Sequence, residues 1–399
     1  MSLTSTLTVY GESALDRGLI PDFIVRRAIR YLSQQRLDEI ASSTLEQAAD
    51  AKWEYIEELK ARLEIAIETE KANEQHYEVS SWSSGHVGWG VTSEAMKALK
   101  YTIVISALSK LSSVICHFWL HLDPALRADA HFPSTPQVST EFIQSCLGKN
   151  MKYSCCLYPT GKESLDVAED LMLESYCEKA KLVDGMDILD LGCGWGSLTL
   201  FLAKKYPKSR ITSLSNSATQ KIHIDSQAAL RGLSNVEVFT GDVKVFDFAG
   251  IRSFDRVMSI EMFEHMKNYD FLLAKISTWL KSNKDAAGGN AYLFVHIFCH
   301  KDTPYHFEEN DGWMSRNFFS GGTMPSFDLF SYFQRSLTLE RSWWINGRHY
   351  GKTCEDWLIL QDSNTKKWIG SGREGELVTG KKGGSEEERK AEGVKSFYK

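Results

Sequence analysis

The sequence predicts an α/β fold with a doubly wound, mostly parallel sheet and a helical N-terminal extension. Three observations predict it. A buried-strand pattern over 186–191 runs directly into three glycines at alternate positions and then into a helix-like run. Further apolar runs typical of strands follow, mostly separated by helical segments, which is the pattern of a parallel sheet. Polar residues come directly after these strands, where ligands bind in such sheets.

The elements are predicted in the following order. Apolar residues at helical spacing predict helix over 13–70, including a second amphipathic run over 45–67. Another helix, from Ser164 to Lys181, precedes the first strand. Strands are predicted over 186–191, 210–214, 236–240, 254–260 and 292–298, with helices over 197–206, 217–232 and 262–280.

Composition shifts divide the chain into four parts. The segment 101–122 is apolar and almost long enough to span a membrane, but Lys110, His117 and His121 interrupt it. Because a charge inside a bilayer is costly, a surface or buried helix is favoured over a membrane span. The predicted parts are a helical cap (1–79), an atypical insertion (80–138), the main domain (139–360) and a polar, flexible tail (361–399).

Charge and cysteine usage exclude some classes of protein. The 399 residues carry a formal net charge of −6 and contain no basic tract with interleaved aromatics, so nucleic acid is not an expected partner. The eight cysteines include no CxxC pair, and the N-terminus lacks a signal peptide, which favours the cytoplasm. Cys116, His117 and His121 have no second half of a zinc site, so we expect no metal.

The glycine turn is the first candidate site. Asp190 is followed by Gly192, Gly194 and Gly196, a GxGxG spacing that differs from the GxGxxG of dinucleotide sites. Glycines here let the backbone approach a ligand closely, and the following helix points its N-terminus at that ligand. The spacing points to S-adenosylmethionine, in which a sulfonium and an amino acid replace the pyrophosphate.

Three other strand ends carry candidate cofactor residues. Asn216 and the nearby Gln220 follow the second strand, and Asn216 is suited to ribose hydroxyls. Asp242 follows the third strand and can accept from the adenine amino group. Ser259, at the end of the fourth strand, is small enough to keep the cleft open. Alternatively, Asn216 and Asp242 cap the helices that follow them.

Several motifs together carry a resemblance to a known family. The chain resembles the coclaurine N-methyltransferases and their relatives within the cyclopropane fatty acid synthase superfamily, over roughly residues 10–79 and 139–360. The resemblance implies a Rossmann-like class I methyltransferase fold, S-adenosylmethionine as cofactor and Ser154 as a further cofactor contact. The motifs are Lys152 to Cys156, Asp190 to Gly196, Ser259 to Tyr269, Gly321 to Pro325, Tyr332 to Gln334 and Asn346 to Trp357.

In the N-methyltransferase branch, the positions that match Glu261, Glu264 and His265 line the amine pocket. A helix through them would bring all three onto one face, since their spacing is i, i+3 and i+4. Their carboxylates would attract a protonated amine. His265 or Glu264 would then accept its proton as general base.

In the cyclopropane synthase branch, methyl transfers to a lipid double bond, and a bound bicarbonate removes a proton. The resemblance implies a bicarbonate cage of Cys155, Glu264, His296 and Tyr350, and all four residues are present. The pattern around Glu261 to Tyr269 favours a small amine as substrate. A lipid at a membrane surface, or an inactive cofactor-binding relative, remains the alternative, and the oligomeric state stays open.

Two departures from the relatives bear on these expectations. The insertion at 80–138 interrupts a segment that is continuous in relatives, which we interpret as an unspliced intron. Relatives also continue beyond the position of Lys399 into a last strand that completes the sheet. We therefore expect a sheet without that strand, and the activity of this chain is left as an open question.

Overall fold

The computed structural model describes residues 20–67, 140–307 and 319–370. The insertion predicted at 80–138, including 101–122, lies outside the described residues, as does the chain from 371 onward. Across the described ranges, no helix is both long and apolar enough to cross a membrane.

A five-stranded parallel sheet forms the centre of the fold. Its strands are β1 (Asp187–Leu191), β2 (Arg210–Ser215), β3 (Val236–Thr240), β4 (Arg256–Ile260) and β5 (Tyr292–His296). The spatial order is β3-β2-β1-β4-β5, and β1 pairs with β2 on one side and β4 on the other. The strand order reverses between β1 and β4, where doubly wound sheets bind ligands. The predicted fold class is confirmed.

Helices cover the sheet and precede it. Thr44 caps the second helix, Leu45–Ala61, by accepting a hydrogen bond from the Gln47 amide at 3.2 Å. Three residues of that helix are buried in the central core: Tyr55, Ile56 and Leu59. The two N-terminal helices therefore pack onto the main domain. The helices are α1 (Asp22–Ile40), α2 (Leu45–Ala61), α3 (Thr140–Cys146), α4 (Leu165–Lys179), α5 (Ser197–Lys205), α6 (Ala218–Leu230), α7 (Tyr269–Trp279) and α8 (Arg348–Gly370).

The helix predicted over 262–280 begins later than expected. Glu261 has a φ of 50°, in the left-handed region, and Phe263–His265 forms a single 3₁₀ turn. Helix α7 then starts at Tyr269, after the N-cap residue Asn268, whose side chain accepts from the Phe271 amide at 2.9 Å. The prediction that one helical face carries Glu261, Glu264 and His265 is therefore wrong.

The last described helix corrects the boundary of the polar tail. Residues 361–370 continue α8, although the tail was predicted to start at 361. Gln361 is 3% exposed, and the Asn364 side-chain amide donates to the Ser145 carbonyl on α3 at 2.6 Å. Polar residues make this contact, so apolar periodicity does not reveal it.

A small antiparallel hairpin lies beside the site. It consists of β6 (Tyr305–Phe307) and β7 (Gly322–Met324), with Tyr305 opposite Met324. A 3₁₀ turn, Leu329–Tyr332, follows it, and residues 333–347 then run without helix or strand to α8.

Candidate active site

The glycine turn between β1 and α5 uses its three glycines in two ways. All have positive φ: 81° at Gly192, 52° at Gly194 and 82° at Gly196. A Cβ at Gly192 would lie 2.8 Å from Met262 Cγ, and one at Gly196 would lie 2.6 Å from Ile224 Cγ1. A Cβ at Gly194 would meet nothing within 4 Å. Gly192 and Gly196 thus permit close packing, whereas Gly194 presents bare backbone to open space.

A cavity of about 1030 Å³ opens beside this turn, at the carboxyl ends of β1, β4 and β5. This volume lies at the upper end of the range for ligand pockets, about 300–1,000 Å³. Nine residues predicted from the sequence line it: Ser154, Cys155, Asp190, Gly192, Gly194, Glu261, His265, His296 and Tyr350.

Asp190 and Ser197 show how the turn would receive a cofactor. The Thr199 hydroxyl of α5 donates to Asp190 Oδ2 at 2.7 Å, and burial raises the pKa of Asp190 to about 6. Ser197, the first residue of α5, lines the cavity, and its buried Oγ has no hydrogen-bond partner among the described residues. An open glycine, a helix N-terminus and a hydroxyl without a protein partner fit the amino-acid portion of S-adenosylmethionine.

The other predicted cofactor residues do not line the cavity. Asn216 is exposed at the end of β2, and Asp242 accepts from the Lys244 amide at 2.8 Å, a contact within the turn that follows β3. Gln220 is buried and accepts from the Ser215 hydroxyl at 2.6 Å. Ser259 is fully buried, and its hydroxyl donates to the Leu191 carbonyl at 3.1 Å, so it lies beneath the lining of the cavity.

Glu261 occupies a strained position at the end of β4. Its left-handed backbone is anchored by a 2.7 Å hydrogen bond from its amide to the His296 carbonyl. Its Oε1 accepts from the Cys155 amide at 3.0 Å, and the residue lines the cavity. Non-glycine residues in this region cost of order 1–3 kcal/mol, and such residues cluster at functional sites.

Glu264 and His265 face different directions. Glu264 is fully buried outside the cavity lining, and its Oε1 accepts from the Phe298 amide at 2.8 Å just beyond β5. His265 lines the cavity, with its ring 4.8 Å from that of Phe319. Burial, helped by the charge of Lys267, lowers the pKa of His265 to about 4. The imidazole is therefore neutral near pH 7, and in this form one of its ring nitrogens is a hydrogen-bond acceptor.

The buried Lys267 supports this turn and was not singled out from the sequence. Its Nζ lies 2.9 Å from His306 Nδ1 and donates to the Gly322 carbonyl and the Thr323 hydroxyl, both at 3.1 Å. Lysine is almost never fully buried unless paired, so sequence alone gives no signal for this role. The ammonium group thus links the 3₁₀ turn that contains His265 to strand β7 by hydrogen bonds.

Aromatic rings form much of the lining of the cavity. The sequence reasoning missed these residues, because most of them belong to segments without regular structure. They suit a flat, apolar ligand. They are Phe298, Phe319, Phe327, Phe330, Trp343 and Trp344.

A family model described as mycolic acid cyclopropane synthetase matches residues 128–370, more than half of the chain. The chain belongs to this family. Over 234 residues it is 41% identical to the (S)-coclaurine N-methyltransferase of Thalictrum flavum subsp. glaucum, covering 58% of this chain and 62% of the relative. The Escherichia coli (strain K12) cyclopropane-fatty-acyl-phospholipid synthase is 29% identical over 222 residues, covering 55% and 53%.

The structural comparison extends over nearly the whole chain. A crystal structure of coclaurine N-methyltransferase bound to N-methylheliamine and SAH has a TM-score of 0.71 and 28% identity, covering 98% of this chain and 93% of that one. The sequence matches are shorter: the chain spans about three fifths of the length of the first curated relatives.

In this member of the cyclopropane synthetase family, three of the four predicted cage residues share the cavity. Cys155, His296 and Tyr350 line it, and burial raises the pKa of Tyr350, which keeps its hydroxyl protonated. The fourth, Glu264, is fully buried and does not line the cavity. No group of three or more potential metal ligands occurs in the described part of the chain.

Proposed function

We propose that this protein is an S-adenosylmethionine-dependent methyltransferase that methylates the nitrogen of a small amine. One observation carries the proposal: the glycine turn, the Glu261 carboxylate and a neutral His265 border a single cavity with an aromatic wall. The similarity to coclaurine N-methyltransferases supports it.

The cofactor half would hold S-adenosylmethionine, which supplies an electrophilic methyl on its sulfonium. Bare backbone at Gly194 lets the amino-acid portion approach, while the start of α5 and the Ser197 hydroxyl favour its carboxylate. Asp190 is already engaged with Thr199, so it fixes the turn. Asn216, Gln220, Asp242 and Ser259 remain proposals for the nucleoside end.

The acceptor half would prepare the amine. An aliphatic amine is mostly protonated at neutral pH, like lysine, and its nitrogen attacks only after losing that proton. Glu261 would attract the cation, and the neutral His265 imidazole would accept the proton. The rest of catalysis is positioning of the nitrogen in line with the methyl group.

A lipid acceptor with bicarbonate as base is the second candidate. The observation in its favour is that Cys155, His296 and Tyr350 line one cavity, where a small anion could be bound. For this activity a membrane surface would be the partner. Glu264, engaged with the Phe298 amide, would support such a cage from behind.

We place the reaction in the cytosol. None of the seven cysteines in the described ranges forms a disulfide, as expected in a reducing compartment. The small-molecule acceptor is then the main partner.

The full chain, incubated with methyl-labelled S-adenosylmethionine, tests these alternatives. One set of reactions contains secondary and tertiary amines, including a benzylisoquinoline-type amine. The other contains unsaturated phospholipid vesicles with and without bicarbonate. Labelled amine supports the leading proposal, and bicarbonate-dependent labelled lipid supports the second. Cofactor binding without any labelled product would overturn both and identify an inactive relative.

A further inference from the structure

A fully buried lysine, Lys152, borders the cavity on the side of His296 and Cys155. Lys152 is 1% exposed, and its Nζ has three hydrogen-bond partners: Ser154 Oγ at 2.5 Å, the Cys155 carbonyl at 2.7 Å and the Tyr176 hydroxyl at 3.2 Å. An ammonium group has three hydrogens and no acceptor. All three hydrogens are therefore used.

The Tyr176 hydroxyl connects Lys152 to His296 through two hydrogen bonds. Tyr176 is 1% exposed, and its oxygen lies 2.6 Å from His296 Nδ1. Burial raises the pKa of Tyr176, so the phenol keeps its hydrogen. Of the two partners of this hydroxyl, the Lys152 ammonium can only donate, so Nδ1 is the acceptor of the phenol hydrogen. If Nδ1 carried a proton instead, the phenol hydrogen would have no acceptor among the described residues.

We infer that Lys152 and Tyr176 are positioning residues that lock His296 as the tautomer protonated at Nε2, so that its ring donates a hydrogen bond to an acceptor oxygen of the bound substrate. His296 lines the cavity, and its Nδ1 is turned towards Tyr176. The nature of that substrate rests on the proposed function, whereas the tautomer does not.

The fixed tautomer divides the work of the two cavity histidines. An imidazole protonated at Nε2 offers a donor on that side, so His296 is unsuited to remove the amine proton. His265, which lines the same cavity, remains the proposed base. The ring of His296 would instead favour amine substrates that carry a hydroxyl, ether or carboxylate oxygen some distance from the reacting nitrogen.

Nitrogen-15 NMR of the histidine-labelled full chain tests the tautomer directly, with the His296 signal assigned by its absence in His296→Gln. In the wild type we expect an unprotonated Nδ1 and a protonated Nε2. Tyr176→Phe should produce a mixture of tautomers, whereas Tyr158→Phe should leave the signal unchanged. Tyr158 is the matched control, because it is buried, its hydroxyl donates to Asp356, and neither residue lines the cavity.

Kinetics give a second readout. With an oxygen-bearing amine, Tyr176→Phe should raise KM about three- to tenfold with a smaller change in kcat, while an amine without the oxygen should show no change. A protonated Nδ1 in the wild type, or an unchanged signal in a folded Tyr176→Phe, would overturn the inference. If the tautomer is as expected but no amine is methylated, the proposed function fails and the inference stands.

Discussion

The two halves of the cavity are built in different ways. The cofactor half is a strand, a glycine turn and a helix, and its chemistry belongs largely to the backbone at Gly194 and the start of α5. The acceptor half consists of a 3₁₀ turn, a hairpin and a long irregular segment, and its chemistry belongs to side chains such as Glu261 and His265. Under the proposed function, cofactor binding depends on backbone shape, whereas the choice of acceptor depends on individual side chains.

The largest expected effect is a loss of kcat on removal of the proposed general base, His265. His265→Asn should lower kcat for an amine about 100-fold, at the low end for a lost general base, with cofactor affinity unchanged. Since the pKa of His265 is about 4, the wild-type imidazole stays neutral above that pH, and activity should fall through its protonation only below about pH 5. His349→Asn, at a histidine that accepts from the Tyr158 amide, is the control in the pH–rate measurement. A limb near pH 6.5 that disappears in His265→Asn would contradict this picture.

A somewhat smaller effect is expected from the charge that attracts the amine. Glu261→Gln keeps an oxygen for the Cys155 amide but removes the negative charge. We expect kcat/KM to fall about 30-fold, mainly through KM, because hydrogen bonds to charged groups contribute about 1.5–3 kcal/mol. Glu340→Gln, another acid at the cavity, is the matched control and should change little, since Glu340 is exposed and paired with Lys181. Equal losses in the two variants would argue against a specific role for Glu261.

Alanine at two glycines tests the backbone half. Gly194→Ala should weaken the binding of S-adenosylmethionine about tenfold in calorimetric titration, because the added methyl group enters the open face of the turn, where the amino-acid portion of the cofactor would lie. Gly196→Ala should mainly lower the unfolding temperature, since its Cβ would lie 2.6 Å from Ile224 Cγ1. If both variants lost affinity and stability to the same extent, the assignment of different roles to these glycines would be wrong.

The smallest effect concerns the shell behind the cavity. Glu169 is fully buried, accepts from the Asn150 amide at 2.8 Å, and burial raises its pKa to about 7. Because the unfolded carboxyl ionises near pH 4.5, the folded state loses stability as pH rises from there to about 7. Glu169→Gln should therefore become more stable than wild type by about 1 kcal/mol at pH 8, with no gain below pH 4.5. Chemical denaturation at several pH values measures this difference, and a gain independent of pH would exclude the linkage.

The sequence predicted the cofactor half of the cavity better than the acceptor half. The five strands were predicted within a few residues, because an apolar run and a following turn are local signals. The left-handed backbone at Glu261 has no such signal and disrupted the helix prediction over 262–280. Two sets of buried contacts could not be predicted, because they join residues far apart in sequence. One links Lys152 to Tyr176 and Tyr176 to His296, and the other links Lys267 to His306. For the same reason, neither the chain nor its motifs revealed that Glu264 lies behind the wall.

The left-handed backbone of Glu261 sets stability against turnover at one position. Glycine adopts a φ of 50° without strain, so Glu261→Gly would relax the end of β4 but also remove the carboxylate. A library selected for heat resistance alone would enrich glycine here, and one selected for amine methylation would return glutamate. An engineer who wants a more robust catalyst should therefore hold this residue fixed and search for stability elsewhere.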